Sequence, residues 1–322
     1  MANSITVRHR RNVLTDADMR MMHAAALEIL ERTGVAVRSE KAQLMLQKAG
    51  CDVDRKSAVV KFPGGLVEEC VRKANRAVTF YGRTRKHDAR LDGHHTYVTS
   101  DGNGTMAMDF ETRQRRESRK SDVAKSAFVA DALKGHGVNW PNVTSQDVPQ
   151  GTRHIHDLQA SLENTEKHIT IATDTTAWEV EDVIELAAAA AGGREELRKR
   201  PLISSIHTSS SPLQIDGEGL EAGFVAAEAG IPICFYVMPG PGATGPATLA
   251  GAVTVAFAEA RAGYTICQLN SPVTSFDFSA LSAGPVEDWY AFTFAGGPKA
   301  GFEHSRLSLA HGKLLLRREV AF

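Results

Sequence analysis

Aromatic, hydroxyl and amide side chains follow several short apolar runs of this chain. Trp140 closes one run, and Tyr236 and His207 lie at the ends of two others. Such groups can hold a small polar or cationic substrate by cation–π contacts and hydrogen bonds. The candidate substrate contacts are Trp140, His207, Ser209, Tyr236, Met238, Gln268 and Asn270, together with Asp101 and Asp147. No G-x-S-x-G or P-loop motif accompanies them, so we expect a partner or cofactor to supply the reactive group.

His207 has three interpretations. A histidine after a buried strand can act as a general base, donate a hydrogen bond to a substrate, or be a polar residue satisfied by its neighbours. Its neighbours in sequence, residues 208–211, are hydroxyl-bearing. The sequence leaves these alternatives open.

Residues 240–245 have the G-x-G-x-x-G spacing of a dinucleotide-binding loop. Gly242 and Thr244 would then contact a cofactor. A dinucleotide-binding unit needs an acidic residue about 20 residues further on, at the end of the next strand, but residues 268–271 contain no carboxylate. The pattern therefore favours a loop that lines a substrate cleft, with a structural turn as the alternative.

Five apolar runs recur at intervals of 31 to 33 residues, at 138–140, 169–173, 202–207, 233–237 and 266–269. Stretches of helical length separate them. A parallel strand with its crossover helix needs about this much chain. The repeat predicts an α/β fold with about five βα units, either an incomplete TIM (β/α) barrel or an open doubly wound sheet. Active sites of such folds lie at the carboxyl ends of the strands.

The first part of the chain lacks the repeat. It predicts helices after Thr15, over 39–48 and after Pro63, and a β-hairpin of 96–100 with 105–109 around the turn residues 101–104. We therefore expect an N-terminal helical and β-hairpin cap over 1–120 and a partial (β/α) barrel over 121–322. Near its end, residues 297–301 cannot form a sixth strand. The stripe of Leu307, Ala310 and Leu314 predicts a final helix.

Bulk composition excludes several classes of protein. The chain has 322 residues, with 37 basic and 38 acidic side chains, so no net charge directs it to nucleic acid or to an anionic membrane. Its four cysteines lack zinc-site spacing, and no metal site is expected. No apolar run reaches the length of a membrane span. These features predict a cytoplasmic protein.

Several blocks of the chain resemble the trimethylamine methyltransferase family, which acts on methylamines and on quaternary amines. The likeness extends over most of residues 14–275. The block at 229–252 is the most specific, because it includes a strand, a loop and the start of a helix. The blocks are residues 14–35, 80–88, 99–102, 145–149, 211–213 and 229–252.

This resemblance implies a TIM-barrel methyltransferase. Such an enzyme moves a methyl group from trimethylamine, or from a quaternary amine such as glycine betaine, to the cobalt of a separate corrinoid protein. The corrinoid (cobalamin) would belong to that partner, and this chain would hold no cofactor tightly. Their positions at strand ends make Trp140 and Tyr236 the candidate contacts of the ammonium group. The resemblance and the open sheet edges together lead us to expect a homo-oligomer.

Family members are longer and complete the barrel with a segment containing Thr-Asp-Ser-Lys. This chain ends before that segment, and three explanations for its shorter length are open. They are an amber codon read as pyrrolysine, a frameshift or partial gene, and a naturally short protein. Two other functions remain open: a TIM-barrel lyase or aldolase with His207 as its base, and an inactive truncated remnant of the methyltransferase.

Overall fold

The computed structural model describes residues 5–6, 14–73, 77–91, 95–100, 102–172, 176–237, 239–270, 305–310 and 313–318. The α-helices of this part are α1 Asp16–Glu28, α2 Glu40–Lys48, α3 Gly64–Arg72, α4 Lys120–Ala132, α5 Arg153–Asn164, α6 Ala177–Ala191, α7 Arg194–Lys199, α8 Gly217–Glu228 and α9 Leu249–Asn270. The strands are β1 Ile5–Thr6, β2 Val35–Val37, β3 Asp52–Asp54, β4 Val59–Lys61, β5 Val78–Phe80, β6 Ala89–Leu91, β7 His95–Thr96, β8 Val98–Thr99, β9 Met106–Met108, β10 Arg115–Glu117, β11 His136–Asn139, β12 His168–Ala172, β13 Ile203–Thr208, β14 Gln214–Ile215, β15 Ile233–Tyr236, β16 Ser305–Ala310 and β17 Lys313–Arg318.

A five-stranded parallel sheet in the order β15-β13-β12-β11-β8 forms the centre of the fold. Helices α5, α6 and α8 lie between its successive strands in sequence, so the predicted α/β class is confirmed. Four of the five repeating runs are strands, namely β11, β12, β13 and β15. Ile169 and Ile203 are adjacent in register and pack with α5, α6 and α8 in one apolar core.

The fifth repeating run is helical, and the prediction of a strand at 266–269 is wrong. These residues form the end of α9, where Ile266 is fully buried among residues of α1, α2 and α8. A short apolar run has no periodicity that separates a buried strand from a buried helix. Six alanines between residues 250 and 262 favour the continuous helix.

The predicted hairpin of 96–100 with 105–109 is also wrong. β8 pairs in parallel with β11, while β9 pairs with β10. Beyond β8, the Asn103 and Gly104 amides donate to the carbonyls of Pro141 and Asn142, both at 3.0 Å. The glycine-rich segment therefore continues alongside the chain that leaves β11. Asp101 lies outside the described residues.

The N-terminal helices follow the predicted boundaries. Thr15 caps α1 in a capping box with Asp18, and Ser39 caps α2. The chain after α1 continues as a π-helical turn over Ile29–Thr33 and ends at Gly34, whose φ of 78° is in the left-handed region. A side chain there would also contact the Val60 carbonyl at 2.5 Å, so glycine is required.

These N-terminal elements share a core with α8 and α9. Leu30 and Phe62 are fully buried in the same cluster as Phe224 and Phe257. The strand β14, which follows β13 in the chain, joins β2, β4 and β3 in the order β14-β2-β4-β3. The division at residue 120 therefore stays a prediction, while the packing between the two parts is extensive.

The last described segment is a hairpin of β16 and β17. The predicted helix with Leu307, Ala310 and Leu314 as its stripe is therefore wrong. Residues 306–309 alternate between polar and apolar residue types, as is typical of strands, whereas 313–318 do not. Residues 297–301 lie outside the described part. None of the helices that the structure describes combines the length and hydrophobicity needed to cross a bilayer.

Candidate functional site

The carboxyl ends of all five parallel strands lie at one edge of the sheet. Ser100 follows β8, Trp140 follows β11, Ser209 follows β13, and Tyr236 ends β15. The residues directly after β12, and Met238 after β15, lie outside the described part of the chain. We refer to this edge as the carboxyl rim.

An aromatic pair is the central feature of the carboxyl rim. The rings of Trp140 and Tyr236 meet edge to face, with centroids 6.1 Å apart and planes at 75°. Both rings pack against a buried cluster that includes Val138, Ile206 and Cys234. These residues alternate along β11, β13 and β15, so they share one face of the sheet. The structure thus brings together the two predicted ammonium contacts.

The backbone around Trp140 is fixed by β8. The Ser100 hydroxyl accepts from the Trp140 amide at 3.1 Å and donates to the Trp140 carbonyl. The indole lies directly over Gly102, where an added Cβ would be 2.0 Å from Nε1. A larger residue at 102 would therefore displace the ring. Ser100 and Gly102 were not among the predicted site residues, because the sequence predicts a hairpin there.

His207 lies on the opposite face of the sheet. Its Nε2 is 2.8 Å from the Ser205 hydroxyl, and Gly223 of α8 lies directly against the ring. Burial lowers the pKa of His207 to about 4. Because successive strand residues point to opposite faces, His207 points to the helices while Ile206 points toward the aromatic pair. The sequence places His207 at the end of a strand, but that position does not say which face of the sheet the side chain is on.

Ser209 faces a buried carboxylate that the sequence interpretation missed. Glu259 of α9 is fully buried and accepts hydrogen bonds from the hydroxyls of Ser209 and Ser211, at 2.5 and 2.7 Å. It also accepts from the Leu213 amide at 2.9 Å. The available signal was an acidic residue in the otherwise apolar stretch 255–260. Sequence alone does not say which loop such a residue would hold.

Two further candidates, Asp147 and Gln268, have structural contacts. Asp147 accepts from the Lys120 amide at 2.8 Å and so caps the start of α4. Gln268 accepts from the Tyr264 hydroxyl at 2.8 Å, one helical turn away. Gln268 and Asn270 lie in α9, so their predicted place at a strand end is wrong. Whether these three residues contact substrate stays a prediction.

The loop at 240–245 bonds to itself. The Gly242 amide donates to the Gly245 carbonyl at 3.1 Å, and the Thr244 hydroxyl accepts from the Gly240 amide at 2.7 Å. The amides of Ala243 and Thr244 donate to the Gly240 carbonyl. A phosphate site needs amides directed outward, so this arrangement favours a structural turn at the rim.

The amino ends of the strands carry a different set of groups. Lys167, just before β12, is buried, and its Nζ donates to the carbonyls of Ala130 and Leu133 at 2.6 and 2.9 Å. Asp131 accepts from the Thr165 hydroxyl and the Glu166 amide at 2.7 and 2.9 Å. These contacts join the end of α4 to the chain entering β12.

Two further contacts lie at the amino ends of the strands. Arg200 binds Asp88 through both guanidinium NH2 groups, at 2.8 and 3.2 Å, and stacks on Tyr81 at 4.6 Å. His168 stacks on Phe80 with ring centroids 4.3 Å apart, and burial lowers its pKa to about 3. We refer to this edge as the amino rim.

Metal-ligating residues do not cluster in the described part of the chain. Its cysteines Cys51, Cys70, Cys234 and Cys267 are all buried and unbridged. Burial raises the pKa of Cys267 to about 12. The thiols therefore behave as small apolar core groups.

Comparison with known proteins gives a consistent family. A family model described as trimethylamine methyltransferase (MTTB) matches residues 2–283. Trimethylamine methyltransferase MttB of Desulfitobacterium hafniense is 32% identical over 257 residues, which are 80% of this chain and 52% of that protein. Glycine betaine methyltransferase of the same species, strain Y51, is 28% identical over 273 residues, 84% of this chain and 56% of that protein.

This chain spans about half the length of the curated relatives that it matches. Among solved structures, the monomethylamine methyltransferase MtmB of Methanosarcina barkeri aligns with a TM-score of 0.48 and 11% identity. That alignment covers 79% of this chain and 58% of the solved one.

Proposed function

The chain belongs to the trimethylamine methyltransferase family, and from this premise we propose that it transfers a methyl group from a methylated amine to the cobalt of a corrinoid protein. The single observation that supports this function within the fold is the aromatic pair of Trp140 and Tyr236 at the carboxyl rim. Two relatives carry the names of trimethylamine and glycine betaine methyltransferases. The substrate class we propose is therefore a trimethylammonium group.

Aromatic rings suit this group because its positive charge is spread over methyl groups that cannot donate strong hydrogen bonds. Ring faces attract such a cation and also remove it from water. An edge-to-face pair presents two ring planes at a large angle, 75° here, so a methylated nitrogen could contact both. The cluster beneath the rings, which includes Ile206 and Cys234, is apolar apart from the weakly donating thiol.

The reactive group in this proposal comes from outside the chain. A corrinoid held by a separate protein supplies reduced cobalt, the nucleophile that accepts the methyl group. The residues of this chain bind the ammonium, orient one methyl group outward from the rim and exclude water around it. This division of roles agrees with a rim whose described side chains are aromatic and hydroxyl-bearing.

The lyase or aldolase alternative receives less support. A general base must reach the proton that it removes. His207 instead contacts Ser205 and α8 on the helical face, and its lowered pKa makes it a weak base. We retain the (β/α) barrel type, the units 1–120 and 121–322, the cytoplasmic location and the homo-oligomer as parts of the proposal.

The decisive experiment mixes the chain with a reduced corrinoid protein and either trimethylamine or glycine betaine. Methyl transfer changes the visible absorbance of the corrinoid, and we expect this change with at least one amine. A binding measurement complements it, with choline compared against its neutral isostere 3,3-dimethylbutan-1-ol. We expect preference for choline, because only it carries the positive charge. No methyl transfer together with equal binding of the two alcohols would contradict the proposal.

A further inference from the structure

The loop between β13 and α8 is held by a carboxylate from a distant helix. This loop, residues 209–213, includes Leu213 with a φ of 53°, a left-handed conformation that is unfavourable for leucine. Glu259 of α9 stabilises it by accepting from the Leu213 amide and from two serine hydroxyls. Burying a carboxylate without hydrogen-bond donors would be costly, and Glu259 is fully buried. The carboxylate therefore needs these three donors, and the loop conformation in turn depends on the carboxylate.

The same loop is bonded to the strand that carries the aromatic pair. The Ser209 amide donates to the Tyr236 carbonyl at 3.1 Å, directly beyond the Thr208–Tyr236 pair of the β13–β15 ladder. Ser209 therefore has its hydroxyl on Glu259 and its amide on Tyr236. Tyr236 in turn meets Trp140 edge to face. One residue thus joins the buried carboxylate to the aromatic pair.

We propose that Glu259 is a positioning residue that fixes Tyr236, and with it the Trp140–Tyr236 geometry, through the Ser209 backbone. The role of the pair in binding an ammonium group rests on the function proposed above, but the positional effect does not. Glu259 has no assigned contact with substrate. It acts at a distance through two successive hydrogen bonds.

Glu259→Gln is the sharpest change. The carboxylate uses one oxygen for both hydroxyls and the other for the Leu213 amide. A glutamine has only one acceptor oxygen. The Leu213 amide cannot reverse its polarity, so the glutamine NH2 must face the two hydroxyls, which then have to turn and accept. The hydrogen bond between Ser209 and residue 259 is then reversed in direction and weaker.

The first readout needs no ligand. The indole N–H resonance of Trp140, assigned by its loss in Trp140→Phe, reports the position of the Tyr236 ring in an NMR spectrum. We expect Glu259→Gln to shift this resonance and to speed hydrogen exchange of the Ser209 amide. Ser211→Ala, which removes one donor to Glu259 but leaves Ser209 intact, should cause a smaller shift in the same direction.

The matched control is Asp131→Asn at the amino rim. Asp131 also accepts from a hydroxyl and a backbone amide, so its loss should destabilise the chain without moving the Trp140 resonance. An unchanged Trp140 resonance in folded Glu259→Gln, or an equal shift in Asp131→Asn, would overturn the inference.

A second readout separates this inference from the proposed function. Titration with tetramethylammonium should give binding that Glu259→Gln weakens about fivefold. If the wild-type chain does not bind this cation while the Trp140 resonance still moves in Glu259→Gln, the proposed ammonium site fails and the positioning role stands. If binding occurs and is the same in both proteins, the positioning role fails.

Discussion

The two rims of the parallel sheet are built from different chemistry. The amino rim joins its helices and strands by charged groups whose bonds are satisfied within the chain, such as Lys167 on two carbonyls and Arg200 on Asp88. The carboxyl rim places an edge-to-face aromatic pair above an apolar cluster. Under the function proposed above, stability and binding fall at opposite ends of the same strands, as parallel α/β folds generally arrange them.

The polar groups of the carboxyl rim fix the backbone near the aromatic pair. Ser100 brackets the backbone of Trp140, and Glu259 holds the loop at Ser209. At the amino rim, the polar contacts join the end of α4 to the chain entering β12, and Arg200 to Asp88. We therefore expect a variant at the amino rim to change the free energy of unfolding, and a variant at the carboxyl rim to change the affinity for an ammonium ion. The following predictions test that separation.

The largest expected effect comes from acid, because it acts on both rims. His168 at the amino rim and His207 near the carboxyl rim have folded pKa values of about 3 and about 4, lowered by burial. An unfolded histidine has a pKa near 6.5, so the unfolded chain takes up protons first as pH falls. The stability from burying neutral imidazoles is complete above about pH 6.5 and declines below it.

We expect the free energy of unfolding to fall by about 1.4 kcal/mol per pH unit for each histidine between about pH 6 and 4. Urea titrations at several pH values would measure this slope. His168→Phe, which can keep the stacking on Phe80, should reduce it by about half of the histidine contribution. A slope that His168→Phe leaves unchanged would show that the pKa of His168 is the same in the folded and in the unfolded chain.

Lys167→Met should give the next largest effect. It leaves the carbonyls of Ala130 and Leu133 without their charged donor at a buried position. We expect a loss of about 2 to 3 kcal/mol in the free energy of unfolding, measured by urea denaturation. Lys199→Met is the control, because Lys199 pairs with Glu196 at the surface and should change stability by less than about 0.5 kcal/mol. Equal losses of unfolding free energy in Lys167→Met and Lys199→Met would show that the buried contacts of Lys167 at the amino rim add no more stability than a surface ion pair.

Trp140→Ala should change affinity more than any other property of the chain. We expect tetramethylammonium binding to weaken about tenfold, because one of the two rings is lost. Trp178→Ala is the matched control, since the Trp178 ring is half exposed and contacts His154 on α5 instead. Isothermal titration calorimetry would measure both. Identical affinities for the two variants would place the cation away from the aromatic pair.

Arg200→Lys should give the smallest effect. A lysine keeps the charge but cannot bind Asp88 through two NH2 groups or stack on Tyr81 in the same plane. We expect a loss of about 1 kcal/mol in the free energy of unfolding, and no change in tetramethylammonium affinity. A change in affinity without a change in stability would reverse the assignment of the two rims.

The period of the apolar runs was sufficient to predict most of the central sheet. It predicts β11, β12, β13 and β15, and it places Trp140 and Tyr236 at the same edge of the sheet. That the two rings share one edge and one face of the sheet follows from parallel strands and the alternation of side chains. This part of the site was predictable because it depends on local pattern.

The rest depends on contacts between distant residues. β8 has only two residues, and a glycine-rich segment follows it, so the sequence indicates a turn where the structure has a parallel strand. Residues 266–269 are too few to show a helical or a strand period, and the structure places them in α9, which packs against α1 and α3. Glu259 reaches a loop nearly fifty residues away in sequence, and no local pattern predicts such a partner.

The pairing of β14 with β2 has a consequence for how the chain folds. Gln214 lies next to Ala36 in that parallel pair, and the Leu213 carbonyl accepts from the Ala36 amide. The loop that carries Ser209 can therefore reach its final place only after two segments from far-separated parts of the chain have met. Contacts of such long sequence separation form slowly, because much conformational entropy is lost before they are made. On a ribosome, β2 would therefore wait for its partner β14 until β8, β11, β12 and β13 of the central sheet had been synthesised.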